Sequence, residues 1–374
     1  MTDPRITPLH DRHVALGASF TDFGGWSMPV RYSSDLAAHH AVRTAAGIFD
    51  ISHMAEFIVR GRQAGAFLDY ALAGRLSKLV DDQAKYSLVL DPDGGIIDDV
   101  IVYRHAEDHL MVVANAGNRE AVADALLDRA RAFEVEVEDA TDRIALIAVQ
   151  GPASQAILEA TDAIVDLAAP LGELKYYRMT HARLVLAGAE PVAIDIGRTG
   201  YTGEDGFELY VPASSAPEVW DALMRAGEPH GLVPAGLASR DTLRLEAGMP
   251  LYGHELSRDI VPAQAGLGRV VAIDKEDFVG RSGLAAVVAA GAPVLVGLVS
   301  EGRRAGRAGY AVLHGDEVVG EVTSGALSPT LGHPIAMAFV APSAAETGTQ
   351  LALDVRGTRI PATVTALPFY RRTT

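Results

Sequence analysis

The 374-residue sequence contains no cysteine. This absence excludes disulfide bonds, thiolate nucleophiles, cysteine-ligated zinc and iron–sulfur clusters that thiolates hold. The sequence also lacks an apolar run long enough to span a bilayer, and its first residues, Met1–Arg5, have no apolar core of the kind a signal peptide needs. We therefore predict a cytoplasmic protein with no membrane partner.

Positive charge is scarce relative to negative charge. The chain has 32 Lys and Arg residues against 48 Asp and Glu residues, a formal net charge of −16. A chain this acidic is repelled by phosphate backbones, so we expect no nucleic-acid partner. The length, at roughly 150 residues per domain, suggests two or three domains.

Several common catalytic motifs are also missing. There is no Walker A loop, no Rossmann glycine fingerprint after a strand, no GxSxG elbow and no HExxH. His10, His13, His39 and His40 have no carboxylate spacing that would complete a recognisable metal site, so structural roles are favoured for them. We predict no metal site.

The apolar pattern predicts an irregular, aromatic-rich segment over the first fifty residues, followed by a ferredoxin-like unit with an extra strand. The elements predicted for this unit are strands at 56–60, 86–90, 96–103, 110–115 and 134–137, with helices at 63–76 and 119–133. A similar order follows, which suggests an internal structural duplication. Its predicted elements are strands at 144–150, 183–186, 192–196 and 207–211, with helices around 157–158 and 219–224.

After about residue 290 the sequence changes to short strands separated by glycine turns. Such spacing predicts a small β-barrel or sandwich. The strands are expected at 294–299, 310–313, 318–322, 335–339, 351–355 and 360–365.

Glycines recur at every third position between Gly197 and Gly206. Such a loop lets the backbone approach a ligand closely, although a tight interdomain turn is the alternative interpretation. Two carboxylates, Glu204 and Glu208, flank the end of the loop.

Asp98 and Asp99 interrupt an otherwise apolar strand. Because successive strand residues point to opposite faces, one of these carboxylates must point into the protein. A buried carboxylate is costly unless it is paired, hydrogen-bonded or used in function, and a polar pair at a strand edge is the alternative.

Three polar side chains could contact a ligand. Asn115 ends a strand, where its amide could recognise a heterocycle or cap the following helix. Arg240 and Arg244 lie one turn apart in a predicted helix over 235–247. Together they could hold a dicarboxylate, or they could pair with Asp241 and Glu246.

Seven segments, together with their order along the chain, resemble the T protein of the glycine cleavage system, a family of tetrahydrofolate-dependent aminomethyltransferases. The similarity runs from about Thr7 to Phe369. The segments are Phe-Gly-Gly-Trp at 23–26, His-His-Ala-Val-Arg at 39–43, Asp-Ile-Ser-His-Met at 50–54, Gly-Gly-Ile-Ile-Asp-Asp at 94–99, Ala-Val-Gln-Gly-Pro at 148–152, Gly-Tyr-Thr-Gly-Glu-Asp-Gly-Phe-Glu at 200–208 and Ala-Ser-Arg-Asp-Thr-Leu-Arg-Leu-Glu-Ala-Gly-Met at 238–249.

The resemblance implies an α+β fold of three domains arranged as a cloverleaf around a central hole that binds folate. Residues 1–54 and 142–285 would form a discontinuous folate-binding domain. Residues 55–141 would be the inserted ferredoxin-like domain, and 286–374 the C-terminal β-barrel domain.

The resemblance also implies roles for individual residues. Asp98 would be the catalytic aspartate, and Glu208 would be the carboxylate that binds the pterin. The other residues implied to contact the folate are Arg240, Tyr201, Asn115, Tyr86, Met54 and, near the entrance, Arg371.

In the reaction of this family, a lipoylated H protein carries an aminomethyl group on sulfur. The methylene carbon passes to tetrahydrofolate, the co-substrate, and ammonia is released. We expect the H protein and tetrahydrofolate to be the partners of this chain. A dense basic cluster, Arg303, Arg304 and Arg307, is a candidate contact for the carrier, and a solvated loop is the alternative.

Other proteins with this fold remain alternatives. Folate-binding iron–sulfur assembly factors usually carry a cysteine motif, which this chain lacks. Sarcosine and dimethylglycine oxidoreductases need a flavin domain, and no dinucleotide fingerprint is present. Folate-dependent demethylases of other small methylated substrates stay open.

Overall fold

The computed structural model describes residues 4–186, 188, 190–288 and 291–372. The prediction that the N-terminus is not a signal peptide uses Met1–Arg5, and Met1–Asp3 lie outside the described residues. The chain divides into two compact units. The first comprises Met1–Leu68, Leu76–Tyr86 and Val100–Arg240, and the second Asp69–Arg75, Ser87–Asp99 and Asp241–Thr374. The three-domain division stays a prediction.

The first 140 residues contain both helices and strands. In chain order they are α1 (His10–Ala15), β1 (Ser19–Phe23), β2 (Trp26–Arg31), α2 (Asp35–Thr44), β3 (Ala46–Asp50), β4 (Ala55–Arg60), α3 (Ala64–Ala71), β5 (Gln83–Leu90), β6 (Ile96–Ala106), β7 (His109–Ala114), α4 (Arg119–Ala130) and β8 (Glu136–Asp139).

The remaining elements continue the mixture of helices and strands and then become mainly strands. They are β9 (Ile144–Gln150), α5 (Ser154–Glu159), β10 (Ile164–Val165), β11 (Met179–Leu184), β12 (Val192–Gly197), β13 (Gly206–Pro212), α6 (Ala216–Gly227), β14 (Leu232–Pro234), α7 (Leu237–Glu246), α8 (Arg281–Val288), β15 (Val294–Ser300), β16 (Ala311–His314), β17 (Glu317–Leu327), β18 (Pro334–Val340), β19 (Gln350–Val355) and β20 (Thr358–Thr365).

The prediction of an irregular N-terminal segment is wrong, because residues 4–50 contain two helices and three strands. Gly24 and Gly25 both have positive φ, 60° and 84°, and form the two-residue turn of a hairpin in which Phe23 pairs with Trp26. A Gly-Gly pair between aromatic residues is a hairpin signal in its own right. The aromatic side chains therefore belong to paired strands.

The first unit contains a seven-stranded sheet in the order β10-β11-β12-β13-β9-β3-β14. Its apolar face packs on α6, whose Trp220 is 1% exposed within the main hydrophobic core. Burial of such a large aromatic ring is a major contribution to the stability of the sheet. This sheet carries Glu208 on the central strand β13.

The ferredoxin-like order predicted for 55–141 is observed, with strands in the order β5-β6-β7-β4-β8. The two helices are shorter than predicted, since α3 ends at Ala71 and α4 at Ala130. In the first case Gly74 follows within three residues, and glycine is a poor helix former.

The second unit contains a closed barrel in the order β15-β18-β17-β16-β19-β20. β15 pairs with both β18 and β20, which removes the free edges of the sheet. The predicted barrel and the mixed α and β fold class are confirmed. None of the helices in the described part of the chain combines the length and hydropathy that a membrane span requires.

Candidate active site

Glu208 is a buried carboxylate on β13, opposite Gly197 of β12. The hydroxyl of Thr199 donates a hydrogen bond to its Oε2 at 2.5 Å, and the Tyr103 hydroxyl lies 2.7 Å from that Thr199 oxygen. Burial raises the pKa of Glu208, while Thr199 and the charge of Arg240 oppose this effect. The hydrogen bond from Thr199 therefore holds Glu208 in place. It does not fully replace the hydration that the carboxylate loses on burial.

The glycine loop packs around the side chain of Gln150. A Cβ on Gly200 would lie 2.0 Å from Gln150 Oε1, and one on Gly206 would lie 2.3 Å from its Nε2. The Gln150 amide donates to the Thr199 carbonyl and accepts from the Thr202 hydroxyl. These two glycines are thus explained by a close contact within the protein, and they fix the backbone beside Thr199.

Glu204, the other carboxylate of the loop, forms a buried ion pair. Its Oε1 lies 2.9 Å from Arg43 Nη1, and that guanidinium also donates to the Thr202 carbonyl at 2.7 Å. Both side chains are shielded from solvent. Glu204 therefore serves to anchor the loop to α2.

Arg240 lies over the aromatic ring of Tyr201, 4.8 Å from its centroid. Its Nη1 is buried and has no hydrogen-bond partner. Burial lowers the pKa of Arg240, and the nearby charge of Glu208 opposes this effect. A buried guanidinium donor without an acceptor is costly, so this group is suited to a polar ligand.

His53 is a residue that the sequence analysis did not select, although it lies in the segment Asp-Ile-Ser-His-Met. It is 2% exposed, its Nδ1 has no hydrogen-bond partner, and its ring packs edge-on against Phe23 at 5.4 Å. Burial and the charge of Arg240 lower its pKa to about 4. The proximity of Arg240 places a second unsatisfied polar group beside the first.

Asp98 and Asp99 behave as strand alternation predicts. Asp98 is completely buried and Asp99 is half-buried. In the same unit, burial and the charge of Asp98 raise the pKa of Tyr252, whose hydroxyl donates to the Ile96 carbonyl. The inward carboxylate is therefore the first of the pair.

Arg244 has a structural environment. It pairs with Asp241 at 2.7 Å and with buried Glu255 at 3.1 Å, and it donates to Ser324. Glu246, suggested as a partner of the two arginines, accepts from Ser328 and Thr330. The idea that Arg244 and Arg240 jointly hold a dicarboxylate is not supported by these contacts.

The remaining predicted residues come from different parts of the chain. Met54 follows His53 and is half-buried, as are Tyr86 on β5 and Asn115 after β7. Asn115 precedes a 3₁₀ turn but its side chain makes no capping hydrogen bond, so the capping alternative is wrong. Arg371 is exposed.

The structure brings together Glu208, Arg240 and Tyr201 in the first unit, with His53 beside Arg240. Asp98 and Arg371 belong to the second unit. The roles that the resemblance implies for all of these residues stay predictions. The histidines considered for metal binding include His13, which instead contacts Asp50 at 2.9 Å and the Tyr32 hydroxyl at 3.0 Å.

Comparison with known proteins gives full-length matches. The family model of the GCVT N-terminal domain matches residues 9–275, and that of the glycine cleavage T-protein C-terminal barrel domain matches 294–371. The aminomethyltransferase of Cutibacterium acnes is 55% identical over 100% of both chains. That of Streptomyces coelicolor is 54% identical over 99% of both.

A solved structure agrees with these sequence matches. The glycine cleavage system aminomethyltransferase T from Bartonella henselae superposes with a TM-score of 0.88 and 35% identity, covering 98% of each chain. The fold and these matches define a transferase. The chain belongs to the glycine cleavage T-protein family, and it is an enzyme of the aminomethyltransferase type.

Proposed function

We propose that this chain transfers the methylene carbon of an aminomethyl-dihydrolipoyl H protein to tetrahydrofolate. The carbon–sulfur bond to the lipoyl arm breaks, ammonia leaves, and both folate nitrogens become bonded to the carbon, which gives 5,10-methylenetetrahydrofolate. Family membership supports the reaction class. The site around Arg240 supports a polar heterocyclic co-substrate.

The observation that carries the proposal is the buried, unsatisfied Nη1 of Arg240, whose guanidinium carbon lies over the Tyr201 ring. A buried donor without an acceptor destabilises the free protein, and a ligand that supplies the acceptor recovers that free energy. We propose that a folate oxygen or carboxylate is this acceptor.

Glu208 complements Arg240. The pterin ring of tetrahydrofolate presents an amino group and a ring N–H side by side, which a carboxylate can accept as two hydrogen bonds. In the free protein, burial raises the pKa of Glu208 and so disfavours its charged form. Hydrogen bonds donated by the pterin would stabilise that charged form. We therefore assign Glu208 to the pterin edge.

Asp98 is proposed as the catalytic residue. Transfer of the methylene carbon passes through an iminium-like state with developing positive charge, and a fixed negative charge stabilises such a state. A completely buried carboxylate is effective in this role because little water screens it. Met54, Tyr86, Asn115 and Arg371 are proposed as further folate contacts.

The carrier would require a surface that attracts an acidic protein despite the net charge of −16. Arg303, Arg304 and Arg307 are exposed in the segment between β15 and β16. We propose this basic cluster as the contact for the lipoylated carrier, with attraction that weakens as salt increases.

Calorimetric titration of the purified chain with tetrahydrofolate tests the co-substrate assignment. We expect saturable binding to one site and a rise in melting temperature with folate concentration. Absence of any saturable effect in protein shown by circular dichroism to be folded would contradict the assignment.

A further inference from the structure

A second group of chemically active side chains lies away from Glu208 and Arg240, within the first unit. His105 is near the end of β6, His181 is on β11 and Asp195 is on β12. His181 and Asp195 are direct cross-strand partners in the β11–β12 register. The three residues come from two different sheets.

The ligand atoms of these three residues converge. His181 Nδ1 lies 2.7 Å from one oxygen of Asp195, and His105 Nδ1 lies 3.7 Å from the other. One ligand atom from each residue can be chosen so that all lie within 4.8 Å of one another. Two imidazole nitrogens thus approach a single carboxylate.

The group borders a cavity of about 580 Å³. The lining includes the three residues and also His109, whose ring stacks on that of His105 at 4.6 Å. His109 Nε2 is buried and has no hydrogen-bond partner. The cavity therefore offers space for coordinated water and a further imidazole close to the group.

Asp82 supports His181 from the opposite side of the ring, with its Oδ1 2.9 Å from Nε2. A histidine that binds a metal through one nitrogen commonly donates its other N–H to a carboxylate, which fixes the ring. Asp82 adopts a φ of 61°, a region that few non-glycine residues occupy, and is thus held in a specific conformation.

The cavity has two arginines, and they share one carboxylate. Arg60 and Arg143 line it, and both form ion pairs with Glu138, at 3.2 Å and 2.5 Å. The carboxylates of Asp82 and Asp195 therefore face mainly imidazoles. Asp195 is the carboxylate that reaches both His105 and His181.

We propose that His105, His181 and Asp195 bind one divalent transition-metal ion of the zinc type. Two imidazoles and a carboxylate are typical ligands of such ions, whereas Mg²⁺ and Ca²⁺ prefer sites made of oxygen ligands. On binding, His181 Nδ1 exchanges its proton for the metal and the proton passes to solvent. Nε2 keeps its hydrogen bond to Asp82.

The metal would connect β6 of the five-stranded sheet to β11 and β12 of the seven-stranded sheet. The role of the metal would be structural, because it would join strands of two sheets. A ligand that binds only the folded state also stabilises that state. The proposal does not depend on folate or carrier binding.

Calorimetric titration of chelator-treated full-length protein with Zn²⁺ tests this site. We expect one ion per chain with a Kd on the order of 1 μM or tighter, and a rise in melting temperature of about 3–5 °C at hundredfold excess over Kd. Mg²⁺ at millimolar concentration should produce neither effect. Lack of saturable Zn²⁺ binding up to about 100 μM would show that the group is only a hydrogen-bonded ion-pair network.

Variants locate the ion. His181→Gln and Asp195→Asn should each weaken Zn²⁺ binding by about 10- to 100-fold, and Asp82→Asn by about 10-fold. His314→Gln, at an exposed histidine in the barrel, is the matched control and should bind as the parent does. Equal affinity in His181→Gln and the parent would overturn the assignment.

Since His181→Gln also removes two hydrogen bonds, a measurement on the unaltered chain is needed. Zn²⁺ should shift the imidazole NMR signals of His105 and His181 and leave that of His314 in place. Shifts confined to other histidines would contradict the proposed ligands.

Discussion

The guanidinium carbon of Arg240 lies over the ring of Tyr201, 4.8 Å from its centroid, while the Nη1 of Arg240 has no hydrogen-bond partner. The cation–π contact and the burial of Nη1 both limit the freedom of the guanidinium. Helix α7 and the glycine loop thereby present one buried, unsatisfied donor close to the carboxylate of Glu208. Under our proposal, these groups recognise the folate.

The planar group of Arg240 is expected to matter more than its charge. Arg240→Lys keeps the charge but loses the planar guanidinium and its unsatisfied Nη1 donor, so tetrahydrofolate affinity should fall about 10-fold or more. Calorimetric titration measures the change, with Arg225→Lys on α6 as a control. Parent-like affinity in Arg240→Lys would remove Arg240 from the folate site.

Glu208→Gln should weaken tetrahydrofolate binding by about 1–3 kcal/mol, since a charged acceptor is lost. Its stability should not decrease, because glutamine can still accept from Thr199 and the cost of a buried charge disappears. Folate titration and urea unfolding provide the two measurements.

Glu204→Gln is the matched control for Glu208→Gln. It leaves Arg43 buried without its carboxylate, so it should destabilise the protein by about 3–5 kcal/mol. At temperatures where the variant is folded, its folate affinity should be close to that of the parent. If Glu204→Gln instead loses folate affinity and Glu208→Gln does not, the two carboxylates exchange roles.

Asp98→Asn preserves shape and removes charge. We expect the transfer rate in a single turnover to fall by about 10²-fold or more, with folate still bound, because one preorganised charge is lost. Asp99→Asn, at the half-buried neighbour, is the control and should remain near the parental rate. A slow Asp99→Asn with a fast Asp98→Asn would reverse the assignment, and two active variants would make this strand structural.

His53 should make the stability of the fold sensitive to acid. Its pKa is about 4 in the folded protein against an ordinary value of 6.5, so below pH 6.5 the unfolded chain binds a proton that the folded chain does not. Stability is therefore lost as the pH falls from 6.5 towards 4, by up to about 3 kcal/mol.

Urea unfolding of the parent and His53→Gln between pH 7.5 and pH 4.5 measures this contribution. The parent should lose more stability than the variant as the pH falls, because the variant has no imidazole to protonate. Parallel stability curves would show that His53 does not titrate in this range.

The barrel and the burial of Asp98 could be predicted because both depend on local sequence patterns. Short alternating strands and glycine turns defined the barrel, and the period of two residues placed one of two adjacent aspartates inside. The hairpin at Gly24 and Gly25 differs from the irregular segment that the aromatic residues predict, because the Gly-Gly turn between Phe23 and Trp26 pairs two strands.

The environments of the site residues could not be predicted in the same way. Arg43 and Glu204 are 161 residues apart, and only the packing of α2 against the glycine loop makes them an ion pair. His105, His181 and Asp195 lie on strands of two sheets, so no spacing in the sequence indicates that they converge. Such contacts depend on tertiary structure alone.

The central claim is transfer of a methylene carbon from a lipoylated carrier to tetrahydrofolate. Its most direct test mixes the purified chain with one equivalent of aminomethylated H protein and measures ammonia and 5,10-methylenetetrahydrofolate after a single turnover, with and without tetrahydrofolate. Our account predicts equal amounts of both products, formed rapidly only when tetrahydrofolate is present and slowly in Asp98→Asn. Failure to form 5,10-methylenetetrahydrofolate with folded protein that binds folate would contradict it.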